Sequence, residues 1–295
     1  MMHHDLHPNT MKTTALYACL SLCFALPLAV SAQDLPDVAP LPAAAGLPLW
    51  ELGVGAFALS TPAYPGARSR NDRVLPLPWI QYRGKILWAD QSGIGTRLFN
   101  SERVELDVGF AGSLPSKSDD VAIRTGMPDL GTLVEFGPRL KVKVAQLSPT
   151  SAIRFELPVR AVMEVRGGVR RQGSTIEPRL SYETRTIDAA WTGEAHVAAV
   201  FGDSRINRYF YEVGPQYATA ARPAYQADSG RMLVRAGLAG SHRLNPDVRL
   251  FGYMRYESYA GAANTGSPLM QRDHGASAGV GVVWTFKRST ARAQF

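Results

Sequence analysis

The chain has almost no cysteine, and none where a folded domain could use it. Its 2 cysteines, Cys19 and Cys23, both fall in an apolar leader, so disulfides and thiolate metal sites are excluded from everything after it. No later run reaches the roughly 18 apolar residues that a transmembrane helix needs. No segment after the leader keeps the helical period of apolar residues that would cover a sheet. The zinc and EF-hand spacings are also missing, so no metal or cofactor is expected. His242 and His274 have no second ligand at metal spacing, and the three acids Asp119, Asp120 and Asp129 read as a solvated loop. The net charge is +7, but its charges alternate in sign and form no basic stripe, so nucleic acid is not an expected partner.

The chain does contain alternation. From Ile153 to Val165, Ile153, Phe155, Leu157, Val159, Ala161, Met163 and Val165 are apolar, and Arg154, Glu156, Pro158, Arg160, Val162 and Glu164 lie between them. Successive strand residues point to opposite faces, so one face is greasy and the other mostly charged. The pattern recurs in Val104 to Phe110, Leu140 to Val144, Trp191 to Phe201 and Ala276 to Phe286. That is the signature of an all-β antiparallel transmembrane barrel, apolar toward lipid and polar toward its lumen. The mean hydropathy of −0.10 agrees, since half of each barrel strand faces water.

About 12 strands are expected on this pattern. They run near 50–60, 74–83, 85–90, 93–99, 102–113 and 131–147, then near 152–166, 174–185, 189–201, 231–243, 247–258 and 274–286. If the first strand runs upward, the long connections 61–73, 114–130, 167–173, 202–230 and 259–273 all fall on the outer side. The turns on the inner side are short. The segment from Tyr209 to Tyr217 is left in a long loop, although it could form an extra strand.

The ends read as processing and tails. Met11 is taken as the true start, Ala15–Val30 as the apolar part of a cleavable signal within residues 1–32, and Gln33 as the mature start. Residues 33–49 form a Pro/Ala-rich periplasmic tail, 50–286 the barrel, and 287–295 a C-terminal tail. Trp284 and Phe286 close the last strand and are taken as the signal read by the barrel-assembly machinery.

Parity assigns inward charges to Glu105, Asp107, Lys141, Lys143, Arg154, Glu156, Arg160, Glu164, Glu177, Arg179 and Glu194, with His196 beside the last. Both signs occur, so the lumen is either closed by cross-strand ion pairs or split into two conducting arcs. His196 with Glu194 is the best base for a hydrolase, but no serine motif accompanies the pair, so no catalytic residue is assigned.

Several segments, taken in order, resemble the MipA/OmpV outer-membrane family. They are Tyr64-Pro65-Gly66, Leu75-Pro76-Leu77-Pro78-Trp79-Ile80-Gln81-Tyr82-Arg83-Gly84, Gly126-Met127-Pro128-Asp129-Leu130-Gly131 with Glu135-Phe136-Gly137-Pro138, Pro223-Ala224-Tyr225, and Ser267-Pro268-Leu269. The resemblance implies a non-enzymatic barrel in the outer membrane of a Gram-negative cell, in contact with lipid and lipopolysaccharide. It further implies a scaffold joining a lytic transglycosylase to a penicillin-binding protein. The alternatives are a narrow diffusion channel for small solutes, or an adhesin acting through the outer loops.

Overall fold

The computed structural model describes residues 46–90 and 93–293. The leader, most of the 33–49 tail and the last two residues lie outside the described residues. Among the described residues there are thirteen strand segments: β1 (Trp50–Pro62), β2 (Arg70–Arg83), β3 (Leu87–Asp90), β4 (Gly93–Asn100), β5 (Val104–Ser113), β6 (Thr132–Ser148), β7 (Ser151–Val165), β8 (Val169–Ile176), β9 (Arg179–Arg185), β10 (Trp191–Gly202), β11 (Gly230–Arg243), β12 (Val248–Ser258) and β13 (His274–Arg288). Each pairs antiparallel with its neighbours, and β13 returns to pair with β1, which closes the barrel.

β8 and β9 are two halves of one span, so the wall has 12 strands. The interruption is Glu177-Pro178. Pro178 has no N–H to give to a ladder, and pairing resumes beyond it, with β7 and β10 each flanking both halves.

All the short turns lie at one end of the barrel and all the long loops at the other, apart from two tight hairpins. One is the β3–β4 hairpin. The other replaces the long 167–173 loop expected from sequence: Gly167 and Gly168 sit at φ 62° and 147°, and the strand restarts at Val169. At the turn end, the Asn245 side chain accepts from the N–H groups of Asp247 and Val248 at 2.8 and 2.9 Å, fixing the β11–β12 turn. Trp191, Trp284 and Phe286 point outward near this end, with Trp284 and Phe286 ring centroids 5.9 Å apart.

The segments beyond the barrel at the turn end are tied to each other. Leu49 N–H donates to Ala291 O at 2.8 Å, and Ala293 N–H donates to Leu47 O at 2.9 Å. Thus β13 runs two residues past Phe286, and part of the C-terminal tail continues as a ribbon against residues 47–49.

The long 202–230 connection carries a helix, α1 (Ser204–Tyr211), where the sequence suggested a loop or an added strand. Asp203 caps it by accepting from Ile206 N–H at 3.0 Å. Its buried residues Ile206, Asn207 and Tyr211 face the barrel mouth.

Candidate functional site: a filled lumen and a plugged mouth

The lumen of β4–β12 is a ladder of paired charges. Lys141 lies 3.3 Å from Glu105 and 3.2 Å from Asp107. Arg139, the next inward residue of β6, reaches Asp107 at 2.9 Å and Glu156 at 3.7 Å. Arg154 reaches Glu183 at 2.8 Å, and Arg160 reaches Glu135 at 3.7 Å. Further round, Arg179 lies 3.4 Å from Glu177 and 3.6 Å from Glu194. Arg235 bridges Glu177 at 3.4 Å and Glu257 at 3.0 Å, and Arg255 joins Glu257 at 3.2 Å. These charges are withdrawn from solvent, so each acid needs its base. Arg139 and Lys141 also stand 5.5 and 5.7 Å over the Trp88 ring.

The inward residues assigned by parity separate into groups. Most belong to this ladder. Lys143 stands opposite Arg154 in register. Glu164 belongs to the mouth instead: it accepts from Gly131 N–H at 2.9 Å, Tyr209 O–H at 3.1 Å and Gln172 at 2.7 Å. Arg97, which lies 3.6 Å from Glu105, Arg139 and Arg235 belong to the ladder but not to the set assigned by parity. Arg139 and Arg235 share the inward parity of Lys141 and of their own strand neighbours, and that signal was sufficient to find them.

His196 Nδ1 lies 2.9 Å from Glu194 Oε1, and Ser181 stands opposite His196 in register. The imidazole instead covers Gly237 on the other side, where an added Cβ would come within 2.4 Å of its Cε1. Neither Ser181 Oγ nor His196 Nε2 finds a hydrogen-bond partner. The three side chains therefore share a row of the wall without forming a nucleophile–base pair. Among the described residues, no three His, Cys, Asp or Glu side chains converge as a metal site. Asp129 in the loop accepts from Ser118 N–H at 2.8 Å.

The arc β12–β13–β1–β2 is lined differently. Phe57, Phe251 and Val283 are buried and pack with Leu77 and Trp79, with Trp79 and Phe251 centroids 5.2 Å apart. The lumen thus has a charged side and an apolar side.

Loops fill the mouth. Tyr64, Val121, Leu130, Val213 and Leu269, from four different loops, form one buried cluster, and α1 packs on a second with Leu133, Val162 and Leu233 of the wall. Polar ties lock the loops together. Tyr64 O–H donates to Leu269 O at 2.7 Å, Ser267 O–H donates to Tyr211 O at 2.7 Å, and Asn264 donates to Asn207 Oδ1 at 2.8 Å. Arg222 donates to Ile123 O at 2.7 Å and to Thr125 O at 3.1 Å. Burial pushes the Tyr64 phenol up to about 12 against the pull of Arg124, and raises Tyr209 and Tyr211 as well. Burial likewise lowers Arg124, whose guanidinium stands 5.5 Å over the Tyr64 ring.

The family model described as MltA-interacting protein MipA matches residues 54–286. The chain belongs to the MipA family. No curated protein matches it. Among solved structures, the NanC porin aligns at 9% identity with a TM-score of 0.37, covering 81% of this chain and 100% of that one. An outer membrane channel from Pseudomonas putida aligns at 12% and 0.37, covering 84% and 100%. Outer membrane phospholipase A from Escherichia coli aligns at 14% and 0.33, covering 87% and 98%. At such identities the likeness concerns barrel form and not activity. This MipA-family chain is an outer-membrane-type β-barrel with a charge-filled lumen and a loop-plugged mouth.

Proposed function

We propose that this MipA-family barrel sits in the outer membrane and acts as a non-enzymatic scaffold. It would hold a murein-cleaving lytic transglycosylase, and through it a penicillin-binding protein, close to the membrane. The observation that carries this reading is the covered mouth: packed loops lie over a lumen lined by ion pairs on one side and aromatics on the other. A barrel whose mouth is covered by packed loops acts through its rims, which weighs against a diffusion channel.

The end with short turns is the periplasmic one, as outer-membrane barrels are oriented. Its rim and flanking segments are rich in base: Lys85, Arg103, Arg243, Lys287 and Arg292 stand against Glu102, Asp188 and Asp247. A basic rim suits an acidic partner or the carboxylates of murein peptides. The ribbon of residues 46–49 with 289–293 anchors the Pro/Ala-rich tail at that rim, where residues 33–48 would reach into the periplasm.

The test is binding of the purified full barrel in detergent to a purified lytic transglycosylase. Binding that weakens with salt and in Lys287→Glu/Arg292→Glu supports the rim. Undiminished binding after deletion of residues 33–48 removes the tail from the account, and no binding by any form removes the scaffold.

A further inference from the structure

Among the described residues, the ladder of the barrel wall is interrupted at a seam beside β2. β2 pairs with β1 along its whole length, from Pro62↔Arg70 to Trp50↔Tyr82. On its other side, among the described residues, only Tyr82 and Arg83 pair, with Ala89 and Trp88 of the short β3. Across the gap, β5 pairs with β4 only as far as Gly109, and Phe110–Ser113 pair with β6 alone. Above the β3–β4 hairpin, β2 and β5 therefore flank a strip of wall with no ladder among the described residues.

The sequence is built for that strip. Arg83 N–H donates to Leu49 O at 2.8 Å, which sets the phase of the ladder. Odd-numbered residues of β2 turn their N–H groups toward β1, and even-numbered ones turn theirs into the seam. Two of those even positions are Pro76 and Pro78, which have no N–H. An unpaired donor in apolar surroundings is costly, and an edge with donors invites another strand. The two prolines remove two donors and blunt the edge.

The seam lies at the depth of the apolar belt and leads to an apolar interior. Val74, Pro76, Pro78 and Ile80 point outward, with Val74 72% and Ile80 46% exposed. Leu75, Leu77 and Trp79 alternate inward, and the last two join Phe57, Phe251 and Val283. Apolar surface thus runs from the outer wall past the edge of β2 to the apolar side of the lumen, while the plug bars approach from the mouth. Arg73 pins the upper end by donating to Pro115 O at 2.7 Å. Behind it lies a recess of about 110 Å³ lined by Asn71 and Ser113 from the two flanking strands and by Arg235 and Arg255 of the far wall.

We propose that the seam between β2 and β5 is a lateral portal through which an acyl chain of a membrane lipid passes from the bilayer to the apolar lumen wall at Leu75, Leu77 and Trp79. It rests on the membrane placement above and not on the scaffold role. The chain is favoured as occupant because the wall is apolar on both sides of the β2 edge and its outer side faces hydrocarbon in the membrane placement above.

The test reconstitutes the full chain into vesicles of phospholipid with a diazirine at the end of one acyl chain. After irradiation, the adducts are mapped by peptide mass spectrometry. The portal predicts adducts on outward residues around the barrel and also on Leu75, Leu77 or Trp79, at a yield comparable to outward Val74. Lumen residues behind fully laddered wall, such as Val162 and Ala198, should stay unlabelled. Adducts confined to outward residues, or equal labelling of Val162 and Ala198, would overturn the portal. An outward belt without adducts would overturn the membrane placement, and the portal with it.

Discussion

Arg139 reaches Asp107 at 2.9 Å across the β5–β6 ladder, and Asp107 has no solvent exposure. The Arg139 guanidinium also faces Glu156 at 3.7 Å, so one base serves two buried acids. Removing it strands Glu156 and leaves Asp107 to Lys141 alone, 3.2 Å away. Arg139→Ala is expected to cost about 3–5 kcal/mol, the usual penalty for an uncompensated buried charge. The measurement is the temperature at which the folded band is lost in gel-shift unfolding. Asp107→Leu with Arg139→Met should recover only part of the loss, because it removes the Arg139–Asp107 pair but leaves Glu156 without its guanidinium.

The plug is expected to govern conductance. The intact protein in planar bilayers is expected to stay closed. Replacing 203–229 by a short Gly/Ser linker removes α1 and the Arg222 ties and should bring discrete conductance steps. Substituting Arg154 or Arg160 by Glu in that background should shift the ion preference toward cations.

Alkaline pH should loosen the same plug. The Tyr64 phenol ionises near 10 when unfolded and near 12 when folded. The folded state therefore holds its proton longer, and this contribution is fully present below pH 10 and is lost as pH rises through 12. Two units correspond to about 3 kcal/mol. Conductance of the intact barrel is expected to appear above pH 10, and Tyr64→Phe should move that onset upward.

Most of the architecture was legible from residue parity. The outward sets Val104–Phe110 and Ala276–Phe286 and the inward charges of β7 follow directly from period two, because a charged inner face and an apolar outer face permit no register slip. The mouth was not legible. α1 is only eight residues and carries Tyr209, Phe210 and Tyr211, whose aromatic run also reads as a strand. Loop 167–173 was overestimated because two glycines at positive φ make a tighter turn than their polar neighbours suggest. The ion-pair geometry was also hidden: parity places Arg139 and Glu156 on one face, but only the register brings them within reach of each other.

The prolines of β2 give a further expectation. Pro76→Thr with Pro78→Val restores two donors to the open edge. The variant is expected to form higher-order species on unheated gels, where the parent runs as one band. An unchanged pattern would mean that the edge is protected by something other than its prolines.

The most direct measurement of the scaffold role is crosslinking in cells followed by affinity capture of the tagged mature chain, with an unrelated barrel as reference. Enrichment of a lytic transglycosylase together with a penicillin-binding protein is expected, reduced when Lys287 and Arg292 are reversed in charge. Recovery of assembly factors and lipopolysaccharide alone would contradict it.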